Sequence, residues 1–253
     1  VTGQEDGFMK EKRIALVTGA NRGLGFETSR QLAQYGILVL MGSRSARRGR
    51  SAVRTLRDAG LSVEFIQLDV TKPDQIRKAA AAIRKRFGKL DIMVNNAGIA
   101  ESEDQRSANS TGTISPRSLR QTFDTNFFGL VELTQQLLPL IEKSPGGRIV
   151  NVSSILGSLT IHSKEPGRGS YKPFAYDTSK TAVNSFTIHL AAALSGTGIK
   201  VNSAHPGWVR TDMGGPRAPL SPADGARTAV RLATLGPDGP MGKFLHGEEE
   251  LPW

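Results

Sequence analysis

The sequence predicts an α/β protein with a doubly wound, three-layer fold around a seven-stranded parallel sheet. Three observations predict it. Short apolar runs rich in β-branched residues alternate with helix-length amphipathic stretches almost from end to end. The first of these runs feeds a glycine-rich turn that opens a helix. The 253 residues, 38% of them apolar, suffice for one core, with neither an internal repeat nor a flexible linker to divide it. Residues 1–12 are expected to form a flexible tail and 13–253 a single domain.

Taken in order, residues 14–18 read as a buried strand, followed by the glycine-rich turn and a helix through Tyr35. Residues 37–42 are a second strand, and 46–59 a basic helix stopped by Gly60. A third strand at 63–68 precedes a helix at 73–87 that has proline in its first turn and Gly88 just past its end. A short strand at 92–94 is followed by a polar stretch, 101–116, and a long helix at about 119–141. Residues 148–152 form a fifth strand, 174–194 a helix and 200–204 a sixth strand. A helix at 223–235 and a last strand at 242–245 complete the alternation. Strands separated by helices of this length require parallel crossover connections. The stretches 101–116, 156–173 and 206–222 are the least regular, and long loops in compact domains are usually functional.

Composition narrows the function classes. With no cysteine, disulfides, thiolate nucleophiles and cysteine zinc sites are excluded. His162, His189, His205 and His246 are scattered without an i, i+4 pair, so no metal site is expected. The first ten residues lack the apolar run of a signal peptide, and no stretch approaches ~18 uninterrupted apolar residues. The expectation is a soluble, cytoplasmic protein with no membrane partner. The formal charge of +10 is concentrated at Arg44, Arg47, Arg48, Arg50, Arg54 and Arg57, with no interleaved aromatics on which bases could stack. This reads as a solvated helix face, and no nucleic-acid partner is expected.

The turn Thr18-Gly19-Ala20-Asn21-Arg22-Gly23-Leu24-Gly25 carries the first chemistry. Gly19 permits a tight turn, Gly23 lets backbone approach a pyrophosphate, and Gly25 allows the helix to pack closely on the strand. The helix start then offers unpaired N–H groups and a positive dipole to phosphate. Further on, Tyr176 and Lys180 stand at i and i+4 and project from one helix face. A phenol is a poor base at neutral pH, but a neighbouring ammonium favours its phenolate and makes it a usable proton carrier.

The TGxxxGxG spacing of the turn resembles the short-chain dehydrogenase/reductase family, and further motifs carry the resemblance from Arg13 to Trp253. Asn95-Asn96-Ala97-Gly98 is similar to the family's NNAG, Leu68-Asp69-Val70 to its adenine-contacting segment, and Pro206-Gly207 with Val209 and Thr211 to its PG…T element. The resemblance implies a Rossmann-like fold and a dinucleotide held by Gly19, Asn21, Arg22, Gly23, Leu24, Gly25, Asp69, Val70, Asn96, Ala97, Gly98, Pro206, Gly207, Val209 and Thr211. Tyr176 and Lys180 would complete that set at the nicotinamide ribose. At the end of the second strand, where an NAD site wants an acid, the sequence reads Gly42-Ser43-Arg44. Arg44, with Arg22 approaching from the other side, suits a 2′-phosphate, so NADP(H) is the expected cofactor.

The same resemblance implies four catalytic residues. Tyr176 is the general acid and Lys180 its partner. Ser154, of the Ser153-Ser154 pair, bonds the substrate oxygen, and Asn126 holds a proton-relay water. Trp208 and His162, with Ser154 and Tyr176, are the expected substrate contacts. The interval from Ser154 to Tyr176 is longer than the family's usual spacing, which resembles the carbonyl-reductase branch and favours a monomer or homodimer over a tetramer. The expected activity is NADPH-dependent reduction of a small-molecule aldehyde or ketone, with broad specificity. The alternatives are a dedicated reductase or dehydrogenase of a steroid, a terpenoid alcohol or a 3-oxoacyl thioester, and a catalytically silent NADP(H)-binding regulator.

Overall fold

The computed structural model describes residues 12–106, 109–164 and 172–253, so all of the tail expected at 1–12 except Lys12 lies outside the described residues. Strands β1 (Ile14–Val17), β2 (Leu38–Ser43), β3 (Val63–Gln67), β4 (Ile92–Asn95), β5 (Arg148–Val152), β6 (Lys200–Ala204) and β7 (Phe244–His246) run parallel. Their spatial order is β3-β2-β1-β4-β5-β6-β7. An eighth strand, β8 (Glu249–Glu250), adds antiparallel to β7, so the sheet has eight strands rather than the expected seven. Two exposed glutamates carry no apolar alternation, which is why the pattern missed them. A short, charged edge strand also ends a sheet without inviting another chain to pair.

Nine α-helices are described: α1 (Gly23–Gln34), α2 (Ala46–Asp58), α3 (Pro73–Phe87), α4 (Ser102–Arg106), α5 (Pro116–Phe123), α6 (Gly129–Ile141), α7 (Leu159–Lys164), α8 (Phe174–Ala193) and α9 (Pro222–Ala233). Local chemistry sets their ends. In α3, Pro73 starts the first turn beside Asp74, Arg84, Lys85 and Arg86 fill the last, and left-handed Gly88 stops it. Helices α4 and α7 lie within two of the stretches read as irregular.

The apolar residues of each strand divide between two cores. Ala15 and Val17 of β1 join Leu32 of α1, Val53 of α2 and Val230 of α9 on one face. Ile14 and Leu16 join Ile83 of α3, Leu137 of α6 and Ala191 of α8 on the other. This is the three-layer arrangement in which a parallel sheet is buried on both sides.

The long helix expected at 119–141 is not regular. Ser115 caps α5, its hydroxyl accepting from Ser118 N at 3.2 Å, and α6 begins only after a five-residue π-helical turn, Asp124–Phe128. Such turns insert an extra residue into a helix and recur at functional sites. Just past it, the chain runs against the turn after β3: a Cβ on Gly129 would lie 2.3 Å from the Val70 carbonyl oxygen. Gly129→Ala should therefore destabilise the protein by about 1–3 kcal/mol. Urea unfolding would check this, and a midpoint equal to that of the parent would refute the close approach.

Candidate active site

The chain winds outward from β1 to β3 in one direction and from β4 onward in the other. The crevice where the order reverses, beyond the C-terminal ends of β1 and β4, is where ligands bind in such sheets. A cleft of about 1060 Å³ opens there. Every residue expected from the sequence to touch cofactor or substrate lines it, except His162. Asn126 lies behind the wall.

One end of the cleft is built from backbone. Gly19 and Gly23 have φ values of 65° and 54°, a left-handed conformation that glycine adopts without strain. At Gly25 the constraint is space, since a Cβ would stand 2.4 Å from Asn96 Nδ2. Asn96 Nδ2 donates to the Thr18 carbonyl at 2.8 Å, and Thr18 Oγ1 accepts from Asn96 N and Ala97 N, each at 2.9 Å. Ser43 Oγ donates to Asn21 Oδ1 at 3.2 Å, tying the end of β2 to the glycine turn. Asp69 holds its own turn, its Oδ1 accepting from Thr71 N and Thr71 Oγ1. Arg44 is exposed at the rim. Arg22 reaches across to Asp212, joining the glycine turn to the 206–222 segment. Both side chains of that pair are largely exposed, so the ion pair adds little stability and can be exchanged.

The other end is built from side chains. Tyr176 and Lys180 lie one turn apart on α8, with Lys180 Nζ 5.6 Å from the centre of the phenol ring. Lys180 is buried and donates to the Val152 carbonyl at 2.8 Å, which places its ammonium under the end of β5. Burial pushes that ammonium down to about 8. Asn126, fully buried in the π-helical turn, accepts from Ile99 N (2.8 Å) and donates to Ile99 O (2.9 Å) and Ser179 Oγ (3.0 Å). A Cβ on Gly98 would meet Asn126 Oδ1 at 3.5 Å and Lys180 Nζ at 3.6 Å, so the two groups flank one glycine. Ser154 follows β5, its hydroxyl accepting from Leu156 N at 3.2 Å.

Sequence reasoning missed His205, which lines the cleft. Its Nδ1 accepts from Ile155 N at 3.2 Å and so fixes the backbone next to Ser154. Burial, reinforced by His246, holds its imidazole down at about 4, so it is neutral at ordinary pH. No motif announces it, because its role is a backbone contact made across the sheet.

His162 is drawn elsewhere. Its Nε2 bonds the Leu156 carbonyl at 2.8 Å and lies 3.5 Å from Asp177 Oδ2, while Lys172 Nζ meets its Nδ1 at 3.2 Å. These contacts tie the ring to Leu156, Lys172 and Asp177, and His162 itself is not among the residues that line the cleft. Among the described residues, no group of three His, Cys, Asp or Glu side chains could hold a metal, and no helix is long and apolar enough to cross a membrane.

The depressed lysine has a measurable consequence. Between pH 8 and 10.5 the unfolded chain binds more protons at Lys180 than the folded one, so this residue makes stability rise with pH across that window. Relative to Lys180→Met, the parent should gain about 3 kcal/mol of unfolding free energy over the window. Denaturant unfolding at both ends of the range would show it, and parallel pH profiles would refute the buried ammonium.

The family model described as "short chain dehydrogenase" matches residues 13–219. Mouse carbonyl reductase [NADPH] 1 is 36% identical over an alignment of 280 positions that covers 95% of this chain and 98% of that protein. The crystal structure of NADPH-bound carbonyl reductase from chicken fatty liver superposes with a TM-score of 0.80 at 27% identity, covering 96% of this chain and 99% of that one. Salutaridine reductase from Papaver somniferum gives a TM-score of 0.78 at 30% identity, over 92% and 99% of the two chains. The glycine turn, the NNAG turn and the paired Tyr176 and Lys180 thus occur in a matching fold and a matching sequence, and the chain belongs to the short-chain dehydrogenase/reductase family.

Proposed function

We propose that the protein is an NADPH-dependent oxidoreductase that reduces an aldehyde or ketone to an alcohol, with Tyr176 as the proton donor. The observation that carries this reading is the pairing of Tyr176 with Lys180 on α8, facing the same cleft as the glycine turn after β1. The carbonyl reductases among its relatives support the same cofactor and reaction class.

The residues present fit a dinucleotide phosphate. The left-handed glycines and the start of α1 suit a pyrophosphate. Asp69 and Val70, which line the cleft, suit the adenine, and Asn96, Ala97 and Gly98 the middle of the molecule. Pro206, Gly207, Val209 and Thr211 suit the nicotinamide end. Arg44 has no acid beside it at the end of β2 and suits the 2′-phosphate, with Arg22 joining it on release from Asp212. NADPH, when bound, supplies the hydride.

The chain's own residues handle the oxygen and the proton. Ser154 accepts a bond from Leu156 N and keeps its hydroxyl proton for the substrate oxygen, where negative charge develops. Tyr176 donates the proton that converts this oxygen to an alcohol. Lys180, held under β5, lowers the cost of the phenolate left behind and reaches the nicotinamide ribose. Asn126 orients a water between Lys180 and solvent for reprotonation.

Trp208 and Met213 are 56% and 44% exposed at the cleft, and Ile155 and Leu156 also line it. The indole N–H is already given to Gly214 O at 2.8 Å, so Trp208 offers substrate an apolar face. Contacts of this kind select for apolar bulk rather than for a hydrogen-bonding pattern, which supports a broad range of carbonyl substrates. The reading carries with it a cytoplasmic location and a monomer or homodimer.

Loss of NADPH absorbance with a panel of aldehydes, aromatic and cyclic ketones, quinones, steroids and 3-oxoacyl esters tests the reaction. Turnover across several classes is expected, whereas turnover of one class would identify a dedicated reductase. Silence across the panel would overturn the reductase. Tyr176→Phe should lower kcat by about 10²–10⁴-fold with NADPH still bound, and a substantial residual rate would refute its role as acid. Replacing Arg22 and Arg44 together by Ala should weaken NADPH by roughly tenfold or more while sparing NADH. Equal losses for both cofactors would refute 2′-phosphate recognition.

A further inference from the structure

Helix α8 begins with Tyr176 in its first turn, yet its N-cap residue, Pro173, contributes no side-chain bond. The first N–H groups of a helix have no partner within it, and leaving them unpaired in a buried site is costly. Here the partners come from the segment after β4. Phe174 N donates to Ser110 Oγ at 2.9 Å, Ala175 N to Asp104 Oδ1 at 3.3 Å, and Tyr176 N to Asp104 Oδ2 at 2.9 Å. Ser110 Oγ donates in turn to Asp104 Oδ1. Ser110 N donates to the Lys172 carbonyl at 3.3 Å, so backbone and side chains of the segment both grip the start of α8.

Asp104 is fully buried, and neither it nor Ser110 lines the cleft. A carboxylate at a helix start is favoured by the dipole, and its bonds to N–H groups are charge-assisted. The neighbouring Asp177 registers that charge: burial first, and then Asp104, push its carboxyl up to about 8.

We propose that Asp104 is a positioning residue for catalysis, fixing the first turn of α8 so that the Tyr176 phenol stands where it can protonate substrate. The proposal rests on the reading of Tyr176 as the acid. The two members of the pair differ in how they are held. Lys180 is a turn further along, anchored to Val152 O, and α8 is fastened there again by Thr181 Oγ1 to Gly157 O at 3.0 Å. Tyr176 sits where helices fray, and its backbone amide is held by Asp104. A misplacement of about 1 Å at a reacting group can cost on the order of 10²-fold in rate.

Asp104→Ala should lower kcat by about 10- to 100-fold and leave the NADPH Kd, read by fluorescence, unchanged. The solvent isotope effect on kcat should increase as proton transfer becomes limiting. Asp104→Asn, which retains one acceptor oxygen, should fall between this variant and the parent. A kcat equal to the parent's, or a loss of rate that merely follows a loss of NADPH binding, would overturn the proposal. If Asp104→Ala does not fold, Asp104→Asn and Ser110→Ala decide: lowered kcat with intact NADPH binding supports positioning, and unchanged kcat in both overturns it. Tyr176→Phe run in parallel separates the two claims. An active Tyr176→Phe refutes the acid, whereas an inactive one beside a fully active Asp104→Ala refutes only the positioning.

Discussion

Asn96 gives its side-chain N–H to the Thr18 carbonyl, and Thr18 Oγ1 takes the amides of Asn96 and Ala97. These bonds lock the turn after β1 to the turn after β4, the two strands that flank the point where the sheet order reverses. The rest of the site depends on that lock. It brings Asn96 so close to α1 that only glycine fits at position 25, which in turn lets the start of α1 point into the cleft. It also sets Gly98 and Ile99, against which Asn126 and Lys180 are aligned. A parallel sheet leaves a crevice at such a point by topology alone, and the side chains of Thr18 and Asn96 tie its two walls together.

The interior behind the cleft is more polar than a core of this kind requires. Asn95 donates to Asn151 Oδ1 at 2.9 Å, Asn151 donates to Thr187 Oγ1 at 2.9 Å, and Ser203 Oγ donates to the same threonine at 2.9 Å. All four side chains are buried, and together they join β4, β5 and β6 to α8. Each bond contributes only about 1 kcal/mol net, but an unpaired member would cost more than that. The network therefore favours one seating of α8 on the sheet at Thr187, well past the turn that carries Tyr176. Leu or Val at those positions would still bury the helix, with less to define its register.

Much of the architecture was legible in the chain. The β-rich runs at β5 and β6 and the proline-to-glycine span of α3 have the bounds expected of them. Periodicity failed where the pattern is interrupted for a structural reason. No residue in Asp124–Phe128 marks a π-helical turn by its type, and the close approach of Gly129 to Val70 just past it is remote in sequence. The segment 101–116 looked like a loop because its residues are polar. Asp104 and Ser110 engage the start of α8, and composition cannot tell a solvated serine from one that caps a helix far along the chain.

The sequence by itself determined the alternation of strands and helices, the glycine turn, the absence of an acid at the end of β2, and the i, i+4 pairing of Tyr176 with Lys180. All of these are local, set by periodicities and spacings of a few residues. Only the tertiary structure decided the partners: Asp212 for Arg22, Asp177 for His162, His205 for the backbone beside Ser154, and Asp104 for the helix of Tyr176. Except for His162 and Asp177, which share the connection from β5 to β6, each joins residues from different crossovers of the sheet. Such contacts follow from how layers pack against one another, and no periodicity in the chain records them.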